Sequence, residues 1–459
     1  MRGDVFPVKS DSDPVLPDFS ATDHALMARA LRLAERGLST TQPNPRVGCV
    51  IARDGEVVGE GWHQCAGEPH AEVFALRAAG ELARGATAYV TLEPCSHHGR
   101  TPPCVDALIP AGITRLVVAS EDPNPSVAGA GLQRLRSSGI AVEAGLMRDA
   151  ARELNCGFFS RFERGRPWLR LKLAMSLDGR TALANGDSKW ITGEAARADV
   201  QRWRARSSAI LTGAGTARAD DPRLTVRLGS LSPDGSIVGE EGWGERAKLP
   251  EPKGPRDSDH SGGAQDAVRT DAQASAQRSP LTSATRSACG RLSPSGAHGG
   301  EGLAPLRVVL DARLDALQRD AHLLDGSVPT LVLHAPDVQP RDDRYAQVEL
   351  AALPVDGSDR LDVDAVLRLL AAREVNELQV EAGPVLCGAL LERGLVDELL
   401  LYAAPVLLGD TAHPLFALPA LATMASRWQL HVREQRRVGS DLRLLLRPDN
   451  GDDGRPRQP

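Results

Sequence analysis

Four side chains between residues 70 and 104 could share one piece of chemistry. His70 and Glu72 stand in the tripeptide H-A-E, and Cys95 and Cys104 bracket the loop that follows in PCSHHGRTPPC. One imidazole and two thiolates supply three ligands to a tetrahedral zinc and leave the fourth position to water, which makes such a site catalytic. Zinc held this way lowers the pKa of its water and generates a hydroxide near neutrality. A carboxylate two residues from a ligand, itself unbound, can take the water proton and return it to a departing group. Glu72 is the candidate for that shuttle; His70, Cys95 and Cys104 are the candidate ligands. The spacing leaves alternatives open. A fourth ligand from His97, His98 or Cys65 would close the site into a structural zinc, and Glu72 by itself would read as a solvated helix glutamate. His97, His98 and Arg100 read equally as exposed loop residues or as substrate contacts, while Cys49 and Cys65 read as small apolar packing residues.

The elements that must position these groups follow from periodicity. TDHALMARALRLAERG predicts a helix with Leu26, Ala30, Leu31 and Leu33 on one side and Gly37 behind it. RVGCVIA and EVVGEGW flank Asp54-Gly55, a strand-turn-strand hairpin. HAEVFALRAAG predicts a helix with Ala71, Phe74, Ala75 and Ala78 on one face. ATAYVTL and RLVVAS read as strands, with a helix starting in TPPCVDALIPAG between them. Strands alternating with helices imply a three-layer α/β domain, and this order brings His70, Glu72 and Cys104 to helix starts. From residue 166 a second set begins: a strand in RPWLRLKLAMS, an Arg-rich helix in EAARADVQRWRARS, and a strand in SAILTGAG followed by a glycine-containing turn. Gly213-Ala214-Gly215-Thr216 lacks the third glycine of a dinucleotide fingerprint and reads by itself as a tight turn. Further on, LRVVLDAR, TLVLHA, ELQVEAG, DELLLYAAP, WQLHVRE and LRLLLR read as strands, with helices in VDAVLRLLAA and PVLCGALLERG. The expected layout is a flexible tail at 1–19, a first domain at 20–165, a second at 166–447 and a polar tail at 448–459. A stretch at 229–304 is too poor in large apolar residues to fold, and it reads as a disordered insertion in the second domain.

Length and charge agree with two domains acting on small molecules. The chain has 459 residues, more than one ordinary core uses. A net charge of -6 and a pI near 6.0 give no electrostatic footprint for nucleic acid. A nucleic-acid base deaminase with a binding module behind it would want a basic groove and stacking aromatics, and aromatics are 3% of this chain. Seven cysteines, an odd number, do not resemble a secreted disulfide framework. The N-terminus lacks the apolar core of a signal peptide, and no run is long enough to cross a bilayer, so the expectation is a soluble cytoplasmic protein.

H-x-E followed by P-C-x-x-C is the general signature of zinc nucleobase deaminases. Here the second cysteine lies farther along, and the longer PCSHHGRTPPC resembles, almost residue for residue, the deaminase half of a bifunctional riboflavin-biosynthesis family. That family joins diaminohydroxyphosphoribosylaminopyrimidine deaminase to 5-amino-6-(5-phosphoribosylamino)uracil reductase. LKLAMSLDGRTA, SKWITG, TGAGTARADDPRLTVR and VEAGPVLCGALLERGLVDELLLYAAPVLLG are similar to its reductase half, and the likeness covers nearly all of residues 20–447 apart from the insertion. The resemblance implies a cytidine-deaminase-like α/β/α domain followed by a dihydrofolate-reductase-like α/β domain, with Zn²⁺ and NADPH as cofactors. It implies a phosphorylated pyrimidine as the small-molecule partner, no nucleic acid, no membrane, and a homo-oligomer. Asn44 in TQPNPRVGC and Asn124 in EDPNPSVAGAG, otherwise turn asparagines, fall in the family's substrate loops. Ala174, Trp190, Thr216, Asp220 and the loop Gly383, Pro384, Val385, Leu386, Cys387, Gly388 and Ala389 would hold the dinucleotide. Ser188, Arg204, Leu224, Arg227 and Glu381 would meet the substrate, the two arginines at its phosphate, and Lys172 and Asp178 would orient its sugar. Two departures stand out: the insertion after Arg227, and Ala312 where a polar cofactor contact is expected.

Overall fold

The computed structural model describes residues 18–99, 101–227 and 304–449. Arg100, nearly all of the expected insertion at 229–304 and most of both expected tails lie outside the described residues.

The described chain enters helix α1 (Ala21–Glu35) through Ser20, which forms a reciprocal capping box with Asp23. The predicted apolar side, Leu26, Ala30, Leu31 and Leu33, is buried as a set. Strands β1 (Gly48–Arg53) and β2 (Glu56–Trp62) form the expected hairpin, with Asp54 and Gly55 at φ 52° and 83°. Then come α2 (Ala71–Ala79), β3 (Thr87–Val90), a single turn α3 (Val105–Leu108), β4 (Arg115–Val118), α4 (Ala130–Ser137), β5 (Ala141–Ala144), α5 (Arg148–Leu154) and α6 (Cys156–Arg164). The strand order is β2-β1-β3-β4-β5, antiparallel as far as β3 and parallel beyond it. Alternation along β1 explains the three layers. Cys49 and Ile51 pack with α2, α3 and α4, whereas Val50 and Ala52 pack with α1 and α5.

The second half supplies β6 (Trp168–Ser176), β7 (Arg180–Ala182), α7 (Glu194–Arg206), β8 (Ala209–Gly213), α8 (Ala214–Asp220), β9 (Leu306–Leu310), β10 (Thr330–His334) and β11 (Glu349–Ala352). It closes with α9 (Val363–Ala372), β12 (Glu377–Val380), α10 (Pro384–Glu392), β13 (Glu398–Ala404), β14 (His413–Pro414), β15 (Leu430–Val438) and β16 (Asp441–Pro448). Nine of these strands form one sheet in the order β11-β10-β9-β8-β12-β6-β13-β16-β15, parallel from β11 to β13 and antiparallel at the β16-β15 edge. Leu169, Leu171 and Leu173 of β6 bury one face with α9 and α10, and Leu400 and Tyr402 of β13 turn the other face to α7.

Three expectations change in detail. Helix α2 buries Ala71, Ala75 and Ala79 and leaves Ala78 exposed, because its contact with β2 runs along every fourth residue. The glycine turn expected after β8 is helix α8, with Gly215 inside it. Helices α4, α5 and α6 and strand β5 were not anticipated: each is under ten residues, too short for periodicity to pick out.

The two sheets meet through a buried charge cluster. Glu377, at the start of β12, accepts hydrogen bonds from Arg46 just before β1 (2.6 Å), from Arg206 at the end of α7 (2.9 Å) and from Arg170 on β6 (3.1 Å). Arg170 reaches on to Glu398 at 2.6 Å. Burial alone would raise the Glu377 pKa, yet Arg206, Arg46 and Arg170 hold it well below the usual carboxylate range. Its stabilisation is therefore fully present above the unfolded glutamate value, roughly 4.3, and fades as the pH falls below it. Glu377→Gln strands three guanidinium groups and should cost about 3–5 kcal/mol. Urea midpoints measure this, and the gap between variant and wild type should narrow as the pH is lowered into the acid range.

Candidate active sites

Two glycines seat α2 directly on β2. A Cβ at Gly59 would lie 2.3 Å from the Ala75 carbonyl oxygen, and one at Gly61 would lie 2.3 Å from that of Ala71. This close approach fixes where α2 begins. His70 is its N-cap with extended backbone (φ -77°, ψ 169°), and Glu72 lies in the first turn. Cys95 follows β3 and Cys104 is the N-cap of α3, with the Cys104 N–H donating to Cys95 Sγ at 3.3 Å. His70 Nδ1 lies 3.2 Å from Cys104 Sγ and 3.5 Å from Cys95 Sγ. The three ligand atoms all fall within 4.8 Å of one another, and among the described residues neither His97, His98 nor Cys65 joins them. An open three-ligand set is the arrangement of a catalytic zinc.

Glu72 completes the fit. It is 2% exposed, and its Oε2 has no hydrogen-bond partner among the described residues. Burial raises its pKa, which suits a group that must carry a proton. A buried, unpartnered carboxylate oxygen is costly, and beside three zinc donors the missing partner is a metal-site water or a substrate proton.

The residues around this set include one that the sequence reading passed over. His63 directly follows β2, its ring 5.2 Å from that of His70. Its Nδ1 faces the Pro69 carbonyl oxygen at 3.2 Å, so Nδ1 donates there and Nε2 accepts from the Asn44 amide at 3.1 Å. Burial pushes the imidazole pKa down to about 4, with His70 adding to the effect, so the ring is neutral. The only signal in the sequence is a histidine directly after a predicted hairpin strand. Asn124 accepts from the Ser126 N–H at 3.1 Å, the turn role that its local sequence suggests. Its loop is anchored by Glu93, also passed over, whose carboxylate accepts from the backbone N–H groups of Asp122, Gly129, Gly131 and Leu132. Arg100 lies outside the described residues; His97 and His98 are exposed.

In the second half, β8 and β12 run side by side in parallel and end next to α8 and α10. Gly383 is the N-cap of α10 with Pro384 in its first turn, and its N–H donates to Thr216 Oγ1 at 2.9 Å. A Cβ at Gly215 would meet nothing within 4 Å, and one at Gly383 would meet only Thr216 Oγ1. Open backbone at the start of a nine-residue helix suits a dinucleotide phosphate, so these residues fit NADPH. The expected loop of 383–389 is thus mostly helix. Val385 is exposed, but Cys387 and Gly388 face inward and contribute only backbone position. Ala389 and Leu386 are half-buried. Lys172 and Ala174 share a face of β6 two residues apart. Trp190 is 71% exposed with the Arg197 guanidinium over its ring at 4.6 Å, while Ser188 is half-buried and Asp220 ends α8.

Three substrate expectations change. Arg204 does not present a free fork for phosphate: its Nε and Nη2 donate to the two Glu381 oxygens at 2.7 Å each, and Nη1 to the Thr225 carbonyl. Asp178 accepts from the Leu408 and Gly409 N–H groups, so it pins that loop instead of aiming at a sugar. The Leu224 side chain is buried in the core, at φ 47°, leaving only its backbone to meet a ligand. Arg227 is exposed, its N–H held by Gln201. Burial opposes ionisation of Glu381, but Arg204 and Lys172 hold its pKa down at about 2.

Residues 20–120 match the cytidine and deoxycytidylate deaminase zinc-binding region, and residues 167–444 match the RibD C-terminal domain. The riboflavin biosynthesis protein RibD of Escherichia coli K12 is 44% identical over 92% of this chain and 99% of its own. That of Bacillus amyloliquefaciens is 37% identical over 93% and 97%. The chain belongs to the RibD family. Among solved structures, Acinetobacter baumannii RibD aligns over 93% of this chain and 99% of its own, with 38% identity and a TM-score of 0.71. A Thermotoga maritima protein described as a diaminohydroxyphosphoribosylaminopyrimidine deaminase/5-amino-6-(5-phosphoribosylamino)uracil reductase aligns over 93% and 99%, with 28% identity and a TM-score of 0.69. This protein is therefore a bifunctional deaminase and reductase of riboflavin biosynthesis, using zinc in its deaminase domain and NADPH in its reductase domain, and its substrate is a small molecule.

The α2 seat generates a prediction. Gly61→Ala places a methyl group against the Ala71 carbonyl and must shift the helix start that carries His70 and Glu72. Ammonia release should fall about a hundredfold, the usual effect of misplacing a reacting group by about 1 Å, while NADPH oxidation on deaminated substrate stays at the wild-type rate. Parallel assays of the two half-reactions measure it.

Proposed function

We propose that the front half, residues 20–165, binds zinc through His70, Cys95 and Cys104 and deaminates 2,5-diamino-6-(5-phosphoribosylamino)pyrimidin-4-one. The rear half, residues 166–447, then reduces the ribosyl group to give 5-amino-6-(5-phosphoribitylamino)uracil. The observation that carries the first step is the buried, unpartnered Glu72 Oε2 beside the His-Cys-Cys set. Zinc supplies a hydroxide nucleophile at neutral pH. Glu72 Oε2 takes the proton released by the attacking water, passes it to the ring nitrogen, and then serves the leaving amine. The C–NH2 bond breaks as C=O forms, water is consumed and ammonia leaves. Asn44, its amide oriented by neutral His63, keeps one N–H and its Oδ1 for the pyrimidine edge.

In the rear half NADPH supplies the hydride that reduces the sugar C1. The α10 start with Gly383 and Thr216 would hold its phosphates, and Ala174, Trp190 and Asp220 would meet the rest of the dinucleotide. Glu381, kept ionised by Arg204, accepts from sugar hydroxyls, Lys172 lies on the same side, and Arg227, Ser188 and the Leu224 backbone meet the remainder of the substrate. We place the enzyme in the cytoplasm as a homo-oligomer free of nucleic acid.

Two measurements test the assignments. Glu72→Gln should keep one zinc per chain and lose about 10²–10⁴-fold in ammonia release; loss of zinc instead would make Glu72 a ligand. Arg204→Met removes the charge that holds the Glu381 pKa low, so that pKa rises and Glu381 becomes protonated from the acid side. The variant's NADPH oxidation should fall steeply as the pH drops from 8 towards 5, where the wild-type rate stays flat.

A further inference from the structure

The segment that carries Asn44 is held from the opposite domain. Asn376, buried just before β12, donates both amide N–H bonds to this segment: to Gln42 Oε1 at 2.9 Å and to the Pro43 carbonyl oxygen at 2.7 Å. Ser208 Oγ donates to the same Gln42 oxygen at 2.9 Å, while accepting from the Asn376 and Glu377 N–H groups. Gln42 in turn reaches the Arg206 carbonyl at 3.5 Å. The far end of the segment is tied to both domains, its Arg46 guanidinium reaching Glu377 and its backbone held by Asn155. The Arg46 N–H donates to Asn155 Oδ1 and the Arg46 carbonyl accepts from Asn155 Nδ2. Between those clamps, the hydrogen bonds to the Gln42 side chain and the Pro43 carbonyl come, among the described residues, from residues 206, 208 and 376 alone.

The next residue is Asn44, whose amide meets His63, whose ring packs edge-on against the His70 ring. A continuous series of contacts thus runs from a strand start in the reductase domain to a residue beside the deaminase metal set. An amide with both N–H groups engaged has one orientation, and both acceptors are within two residues of Asn44. Within its own domain the segment is held by the Asn44 N–H on the Thr41 carbonyl and by Thr41 on the Gly37 carbonyl, neither of which engages the Gln42 side chain. Positioning a recognition group within tenths of an ångström requires partners that are themselves locked.

We propose that Asn376 is a positioning residue for the deaminase reaction: from the reductase domain, through Gln42 and Pro43, it fixes Asn44 against the pyrimidine. The proposal rests on the reading that Asn44 meets the substrate, and the experiment separates the two. In the full-length, zinc-loaded protein, Asn376→Ala should raise the KM for ammonia release about tenfold, as expected for losing one to two net hydrogen bonds. Its kcat should stay within about threefold and its zinc content unchanged. NADPH oxidation on deaminated substrate should keep its wild-type KM and kcat. Asn376→Leu, which keeps the volume and removes both donors without adding a charge, should behave in the same way, and it replaces the alanine variant if that one does not fold. Asn44→Ala is run alongside. A wild-type deaminase KM in folded Asn376→Leu, with Asn44→Ala raising it, overturns the positioning role. Loss of zinc, or equal losses in both half-reactions, also overturns it by showing a general structural role. A wild-type KM in Asn44→Ala overturns the reading beneath it.

Discussion

A carboxylate buried under three guanidinium groups holds the two halves of this molecule in register. Glu377 begins the central strand of the nine-stranded sheet and yet binds Arg46, which lies just ahead of the first strand of the other sheet. Its other partners, Arg170 and Arg206, come from the neighbouring strand and from the end of the helix that packs on that sheet. Charges this deep stabilise only when every one is matched, so the cluster tolerates few relative placements of the two domains. The residues beside it, Asn376 and Ser208, extend the same contact to the segment ahead of Arg46. The domain junction is thereby continuous with the edge of one active site.

The two sites are assembled by different means. At the metal set, backbone approach decides the geometry: glycines in β2 admit helix α2 to carbonyl-contact distance, and the helix start carries His70 and Glu72 together. Cys95 and Cys104 are brought to His70 by a loop whose own N–H to thiolate bond holds its two ends together. At the nine-stranded sheet, charge pairing decides the geometry. Arg204 and Lys172 keep the Glu381 carboxylate ionised, and at the start of α10 the Gly383 N–H is held by Thr216 Oγ1.

Much of this was legible in the chain. The H-A-E and P-C motifs named the metal set because zinc chemistry restricts ligand types severely, and period-two and period-3.6 patterns located the long elements on either side. What periodicity could not reach were the short pieces, such as α4, α5 and β5, and the helix hidden in the glycine spacing of TGAG at the end of β8, where propensity argues for a turn. For Arg204 and Asp178 the structure adds partners that residue type does not reveal. A side chain's chemistry shows what it could bind, but a competing partner within the protein, Glu381 or the Leu408 and Gly409 amides, decides what remains available. His63, Glu93 and Asn376 carry no motif, since each acts through a neighbour distant in sequence.

By itself, then, the sequence determined the chemistry on offer, a three-ligand zinc set with a carboxylate two residues from its histidine, and the order of strands and helices that bears it. Those follow from residue type and local spacing, which the chain carries in one dimension. Only the tertiary structure decided which oxygen of Glu72 stays unpartnered, which arginine is already paired, and that Asn376 touches the segment beside Asn44 across more than three hundred residues. Those depend on distances between groups far apart along the chain, set by the packing of sheets and the matching of buried charge.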